Sequence, residues 1–318
     1  MTAALAPRAA RAPQPPRAPN APRAAAPAPL RPGRPGLRRA ALILLLLLPG
    51  LGLILVMISS VLYVAVAQSF GLYNLAGDSI LTTAHWQEVV DRRAFQRALA
   101  YSAYIAVVSA VASVLLAYPL ALWLRRPFAG SVLAGALLKV PLFVPALVAA
   151  FLYINIIAYH GLLNQGLIAL GLTDRPLRMQ NDPGAWGVII LQIWKNMPFA
   201  LLLLTGALQG VRDDVLDAAR DLGAGPLARF RKIVVPLTIP AMQASLIIIF
   251  IGAAGDFAFQ STVGPTNVQS MAQYMLFLTE TAGRWNEAAA VGVTLMGLAL
   301  FGSALLALLA GALARAAR

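Results

Sequence analysis

Six long apolar runs decide what this chain can become. They cover roughly residues 41–67, 97–124, 132–158, 184–208, 238–260 and 287–312. Each can supply the approximately 20 residues that cross about 30 Å of hydrocarbon. Within a bilayer there is no water to satisfy backbone N–H and C=O groups, so such a run must close its hydrogen bonds internally as a helix. The sequence therefore predicts an all-α integral membrane protein, a bundle of six transmembrane helices. Composition points the same way: 59% of the residues are hydrophobic and 12% are charged, against about 25% charged in soluble domains. Pro49, Pro141, Pro145 and Pro198 fall inside the runs and predict kinks.

The charges lie at the ends of the runs. Residues 1–39 are mostly Ala, Pro and Arg, a composition too poor in apolar bulk to pack, and read as a disordered basic tail. The run that follows exceeds a signal-peptide core of 7–15 residues and reads as a membrane anchor. Arg8, Arg11, Arg17, Arg23, Arg31, Arg34, Arg38 and Arg39 precede the first run. Arg125 and Arg126 lie between the second and third, Arg212, Arg220, Arg229, Arg231 and Lys232 between the fourth and fifth, and Arg315 and Arg318 at the end. The alternate loops hold fewer: Arg92, Arg93, Arg97, Arg175, Arg178 and Arg284. This bias places both termini in the cytoplasm. It also reads the net charge of +13 as a topology signal, with no nucleic-acid partner implied. The outer loops carry turn residues: Asn74 and Gly77, then Asn181, Asp182 and Pro183, then Gly264, Pro265 and Asn267.

The absence of cysteine excludes disulfides, thiolate metal sites and Cys nucleophiles. His85 and His160 form no ligand pattern and read as solvated loop residues, so no metal site is expected. Trp186, Trp194 and Trp285 are candidate interface anchors.

Residues 211–237 form the longest loop on the cytoplasmic side, and their pattern is ordered. Asp213 or Asp214 can cap a helix start and suits the positive end of its dipole. Gly223 and Gly225 can end that helix by taking positive φ. Pro226 fits the first turn of a second helix. The loop thus reads as helix, glycine turn, helix. Asp217-Ala218-Ala219 is followed after three residues by Gly223, and after nine more by Ile233, Val235 and Pro236. This resembles the Glu-Ala-Ala, Gly, Ile-x-Leu-Pro motif in permeases of binding-protein-dependent ABC importers. Asp stands in place of Glu and Val in place of Leu, which keeps the charge and the apolar character.

The resemblance runs from about the second helix to the end. It implies a bacterial inner-membrane subunit whose cytoplasmic coupling helix docks on a separate ATP-binding cassette ATPase. The other implied partners are a second permease subunit, a different chain in the polyamine branch, and an extracytoplasmic solute-binding protein. The implied coupling residues are Asp217, Ala218, Ala219, Arg220, Gly223, Ile233, Val235 and Pro236. The small side chains among them let a partner surface approach closely. Asp217 serves either a partner contact or plain dipole compensation, and it can pair with Arg220 at i+3. The chain has no P-loop, since Lys139, Lys195 and Lys232 do not follow glycine. It is therefore expected to bind no cofactor, with ATP and Mg on the partner ATPase, and to have no catalytic residues.

Four polar residues in the runs are candidates for the translocation path: Lys195, Asn196, Asp256 and Asn155. Ionisable groups in a span face an interior or a watery path. Lys195 either lines the path or forms a structural ion pair. Asp256 has three readings: contact with a cationic substrate, the cap of a broken helix, or a pair with Lys195. Asn155 reads as an interhelical hydrogen-bond partner. Ala219-Arg220-Asp221-Leu222-Gly223-Ala224 and Gly255-Asp256-Phe257 followed by Gly264-Pro265 resemble the spermidine/putrescine branch, with sugar, iron, sulfate and phosphonate importers as alternatives. An ion-coupled secondary transporter would use Lys195 and Asp256 instead. A membrane enzyme would need a catalytic cluster, and none is evident.

Overall fold

The computed structural model describes residues 37–74, 79–179, 182 and 184–316. The tail before residue 37, Gly77, Asn181, Pro183 and Arg318 lie outside the described residues. The chain divides into two units, one ending at Met57 and one covering Ile58–Arg318. Helix α1 (Leu37–Ser69) begins in the first and ends in the second. It starts at Leu37, inside the stretch read as tail. From Leu45 to Val61 its large apolar side chains are exposed, as suits a helix solvated by lipid, and Pro49 is accommodated within it.

The second unit continues with α2 (Ala84–Val90), α3 (Arg93–Leu124), α4 (Ser131–Leu137), α5 (Ala146–Ile157), α6 (Leu162–Ala169) and α7 (Trp186–Gln209). Then come α8 (Asp213–Asp221), α9 (Pro226–Arg229), α10 (Val235–Ala254), α11 (Ala258–Val263), α12 (Met271–Leu276), α13 (Trp285–Gly297) and α14 (Ser303–Ala316). Wide π turns at Phe230–Val234 and Leu298–Gly302 join α9 to α10 and α13 to α14. Among the described residues, six helical stretches are long and apolar enough to cross a membrane: Leu45–Ser69, Arg93–Leu124, Ala146–Ala169, Trp186–Gln209, Pro226–Ala254 and Trp285–Leu313.

Helix α3 organises the unit because one of its faces is small. Ala98, Ser102, Ala106, Ala110, Ser113, Ala117 and Ala121 recur at three- and four-residue spacing and are all buried. That spacing puts them on one side, and small residues let helix backbones come close where no hydrophobic effect drives association. Phe95 and Ala98, near its start, pack with Val89, Met271, Tyr274, Ala288 and Val291. Ile105 packs with Ala150, Val188, Ile189 and Phe259. The far half of α3 packs with Leu201, Leu204 and Leu208 of α7 and with Leu246, Ile249 and Phe250 of α10.

The third run is not one kinked helix. It is α4, a tight 3-10 turn at Val140–Phe143, and α5. Pro145 has no N–H to offer the carbonyl of residue 141, so two nearby prolines break the helix where one would bend it. The fifth run also departs from expectation. Its helix ends at Ala254, and Gly255, Asp256 and Phe257 form a break before α11.

Candidate functional site

The loop between α7 and α10 is a helical hairpin. Asp213 and Asp214 lie in the first turn of α8 and Arg220 in its last, so charge and helix dipole agree at both ends. Neither aspartate is the cap residue. That position is the extended Arg212, whose guanidinium pairs with Asp214 instead. Gly223 takes φ +83°, and the amides of Gly223 and Ala224 return to the carbonyls of Arg220 and Ala219 at 2.9 Å each. These are the closing bonds of a helix that ends in the left-handed region. Gly225 does not share this role. Its backbone is extended (φ −65°, ψ 166°), and it leads into Pro226, the first residue of α9.

The motif residues separate into two groups. Asp217, Ala218, Arg220 and Gly223 are exposed, and Ala219 is half-buried. Ile233, Val235 and Pro236 are half-buried at the π turn and the start of α10, and Ile233 packs against the core. Between the groups, Leu216 inserts from α8 into the cluster containing Val211 and Val234. Asp217 and Arg220 do not pair. Ion pairs seen at this end of the unit among the described residues include Arg212–Asp214 and Arg125–Asp213.

Arg125 is the residue the sequence reading missed. It follows α3 directly and had read only as a topology charge. Its Nε donates to the carbonyl of Leu208 at 3.2 Å, and its Nη2 to the carbonyl of Val211 at 2.9 Å and to Asp213 Oδ1 at 2.8 Å.

The polar residues inside the spans do not form one site. Lys195 and Asp256 are not paired. The Lys195 ammonium donates to the carbonyls of Pro141 (2.9 Å), Leu142 (3.3 Å) and Val144, all in the break between α4 and α5. Lys195 lies nine residues into α7, about 14 Å along it, so the break sits deep in the membrane. A lysine at a span centre costs about 3 kcal/mol, while each hydrogen bond to a charged group returns about 1.5–3 kcal/mol. Three such bonds exceed the penalty.

Asp256 Oδ2 accepts from the amides of Phe259 (3.1 Å) and Gln260 (3.3 Å), so it caps α11 after the break. Gln192 of α7 is buried nearby, and its Nε2 has no hydrogen-bond partner among the described residues. Asn196 Nδ2 donates to Gln192 Oε1 at 2.8 Å, and Tyr101 donates to Gln260 Oε1 at 2.8 Å. Tyr101, Gln192, Asn196, Asp256 and Gln260 thus form a polar group among α3, α7 and α11. Asn155 stands apart. It is exposed, and its Nδ2 donates to the Phe151 carbonyl of its own helix (2.7 Å), so the interhelical bond is not formed. His85 is also not a solvated loop residue: it is half-buried on α2, with Nε2 3.2 Å from Asn286 Nδ2.

Comparison with known proteins places this arrangement. Residues 100–318 match the family described as binding-protein-dependent transport system inner membrane component. The spermidine/putrescine transport system permease protein PotB of Escherichia coli K12 is 29% identical over 225 residues, covering 70% of this chain and 81% of PotB. The inner membrane ABC transporter permease protein YdcU of E. coli K12 is 31% identical over 174 residues, covering 51% of this chain and 55% of YdcU. The thiamine transport system permease protein ThiP of Brucella suis biovar 1 is 32% identical over 170 residues, covering 53% of this chain and 31% of ThiP. A crystal structure of a bacterial ABC transporter that imports the acidic polysaccharide alginate shares the fold, with a TM-score of 0.67 at 17% identity over 87% of this chain and 96% of that one. The chain therefore belongs to the binding-protein-dependent transport system inner membrane components, as a non-catalytic, multi-pass inner-membrane permease subunit of an ABC importer.

Proposed function

We propose that α8 and its glycine turn are the cytoplasmic element on which a separate ATPase docks, and that the chain imports an organic cation of the polyamine type. The observation that carries the first part is the spaced motif folded as an exposed helix, anchored at Leu216 and Arg125 and otherwise projecting from the unit. Leu222, at the tip between Asp221 and Gly223, is 89% exposed, and Val215 and Leu227 are also exposed. Asp217, Ala218, Ala219, Arg220 and Gly223 form the docking face. Ile233, Val235 and Pro236 tie it to the bundle.

On this reading both termini are cytoplasmic, residues 1–39 act as a basic orientation signal, and residues 40–318 are the permease domain. The partners are the ATPase subunits, which carry ATP and Mg, a second permease of different sequence, and an extracytoplasmic solute-binding protein that hands over substrate. The alginate transporter was crystallised with its periplasmic protein, which supports the last of these.

The substrate class rests on PotB and on the polar group around Asp256, whose carboxylate and amide oxygens suit an ammonium. Asp256 and Asn196 contribute to the path, while Lys195 supports its wall at the break between α4 and α5. Thiamine, also a cation, is the second reading, favoured by the similarity to ThiP. The test is ATP-dependent uptake of labelled spermidine by the chain reconstituted with the ATPase, permease and binding protein encoded beside it, with unlabelled thiamine as competitor. Wild-type uptake that needs ATP and is lost in Gly223→Leu supports the reading. Uptake that ignores ATP and survives Gly223→Leu sinks it.

A further inference from the structure

The last carbonyls of a helix have no partner within the helix. At the end of α7, the Leu208 carbonyl accepts the Val211 amide at 3.2 Å, and it and the Val211 carbonyl both also accept from the guanidinium of Arg125, the residue that directly follows α3. The same Nη2 reaches Asp213, the first residue of α8. A planar guanidinium presents its donors in fixed directions, so it holds its acceptors in one geometry, whereas the donors of an ammonium rotate on a flexible stem. The Arg125 side chain is only 13% exposed, while that of Asp213 is 80% exposed. Arg125 is therefore a largely enclosed grip on an exposed helix.

Seven residues earlier, on the same side of α3, Tyr118 holds the other leg of the hairpin. Its hydroxyl lies 2.8 Å from Thr238 Oγ1 on α10, and its ring meets Phe230 of the π turn edge-on at 5.9 Å. Helix α3 thus contacts both the entry and the exit of the loop. It then continues for about 48 Å in all, through the cluster of Ile105 to that of Phe95 at the far end of the unit.

We propose that Arg125 is a positioning residue for energy coupling. It locks α8 to the ends of α3 and α7, so that a displacement of α8 by the ATPase moves α3 as a rigid lever. This rests on the docking role of α8 argued above. The grip itself is a property of this chain, and the two can fail separately.

The absence of native cysteine allows spin labels at Leu222→Cys on the hairpin and Leu116→Cys on α3, both exposed positions. The α8–α3 distance is measured in the assembled transporter, with and without ATP. In wild type it is expected to be narrow and unchanged by nucleotide. In Arg125→Ala and Asp213→Asn the distribution broadens about twofold, and ATP hydrolysed per substrate imported rises about tenfold. Arg125→Lys, which keeps the ion pair but not the fork, falls between. Asp213→Asn alters only an exposed side chain, so its result does not depend on whether Arg125→Ala folds. Variants with wild-type distance width overturn the proposal. If the widths respond but the ATPase still copurifies with Gly223→Leu, the docking role fails while the grip stands.

Discussion

Lys195 shows how a charge in a span can be structural without a counter-ion. The break between α4 and α5 leaves backbone carbonyls short of partners in a medium without water, that of Pro141 accepting only a long bond from the Val144 amide (3.4 Å), and one ammonium collects three of them. Replacing it with Met removes the insertion penalty of about 3 kcal/mol but strands the carbonyls, at about 1–3 kcal/mol each beyond the lost bonds. Loss therefore outweighs gain. Lys195→Met should lower the melting temperature in detergent by several degrees, while Lys195→Arg should hold it near wild type. Equal melting for Lys195→Met would show the carbonyls satisfied in another way. Asp256 needs the opposite experiment, because its cap and its charge are separable. Asn can still accept from the amides of Phe259 and Gln260, so Asp256→Asn should melt like wild type yet slow spermidine uptake about tenfold, on the scale of one lost ion contact. Asp256→Ala loses the cap as well, at about 1 kcal/mol. If Asp256→Asn imports normally, Asp256 is a cap and nothing more.

Helix packing here depends on where backbone bulk is absent. A Cβ on Gly302, in the π turn between α13 and α14, would sit 2.6 Å from Cζ of Phe250, a fully buried ring of α10. The ring is buried in the core cluster and must shift to admit the methyl, so Gly302→Ala should destabilise by about 1–3 kcal/mol. Adding Phe250→Leu should recover part of that loss, and thermal melting of the single and double variants checks both. Apolar run length made the passes through the membrane legible, and the hairpin was legible because Gly223 and Pro226 act locally. The broken third pass was not. Pro141 and Pro145 each signal a kink, but their joint effect depends on which carbonyl each one orphans and on a lysine 54 residues from the first of them. Backbone acceptors leave no mark in a residue pattern. For the same reason an ion pair with Asp256 stood among the readings of Lys195, and Arg125 was taken for a boundary charge.

Across the whole molecule, the residues of the proposed coupling site share one end of the second unit. Arg125, Asp213, Asp217 and Gly223 lie there, with Tyr118 and Thr238 just above, while Arg92, Glu287 and Arg284 form a separate ion cluster beyond the start of α3. The motif disclosed the first end because its spacing is carried by one continuous segment. Nothing comparable disclosed the second, whose members are 195 residues apart. Which end meets the ATPase is then a question of membrane orientation, and the charges are the ground for the cytoplasmic placement of α8 proposed above. The α8 end carries Arg125, Arg126, Arg212, Arg220, Arg229, Arg231, Lys232 and Arg315, and an excess of Lys and Arg in short loops stays in the cytoplasm. Single cysteines read this directly in a chain that has none. In intact cells, a membrane-impermeant maleimide should label Leu172→Cys, an exposed position in the loop between α6 and α7, and should leave Leu222→Cys unmodified until the membrane is permeabilised. The reverse pattern would put α8 outside, where no ATP-driven partner could reach it. The docking role and the Arg125 lever would fall together, although the contacts that Arg125 makes would remain.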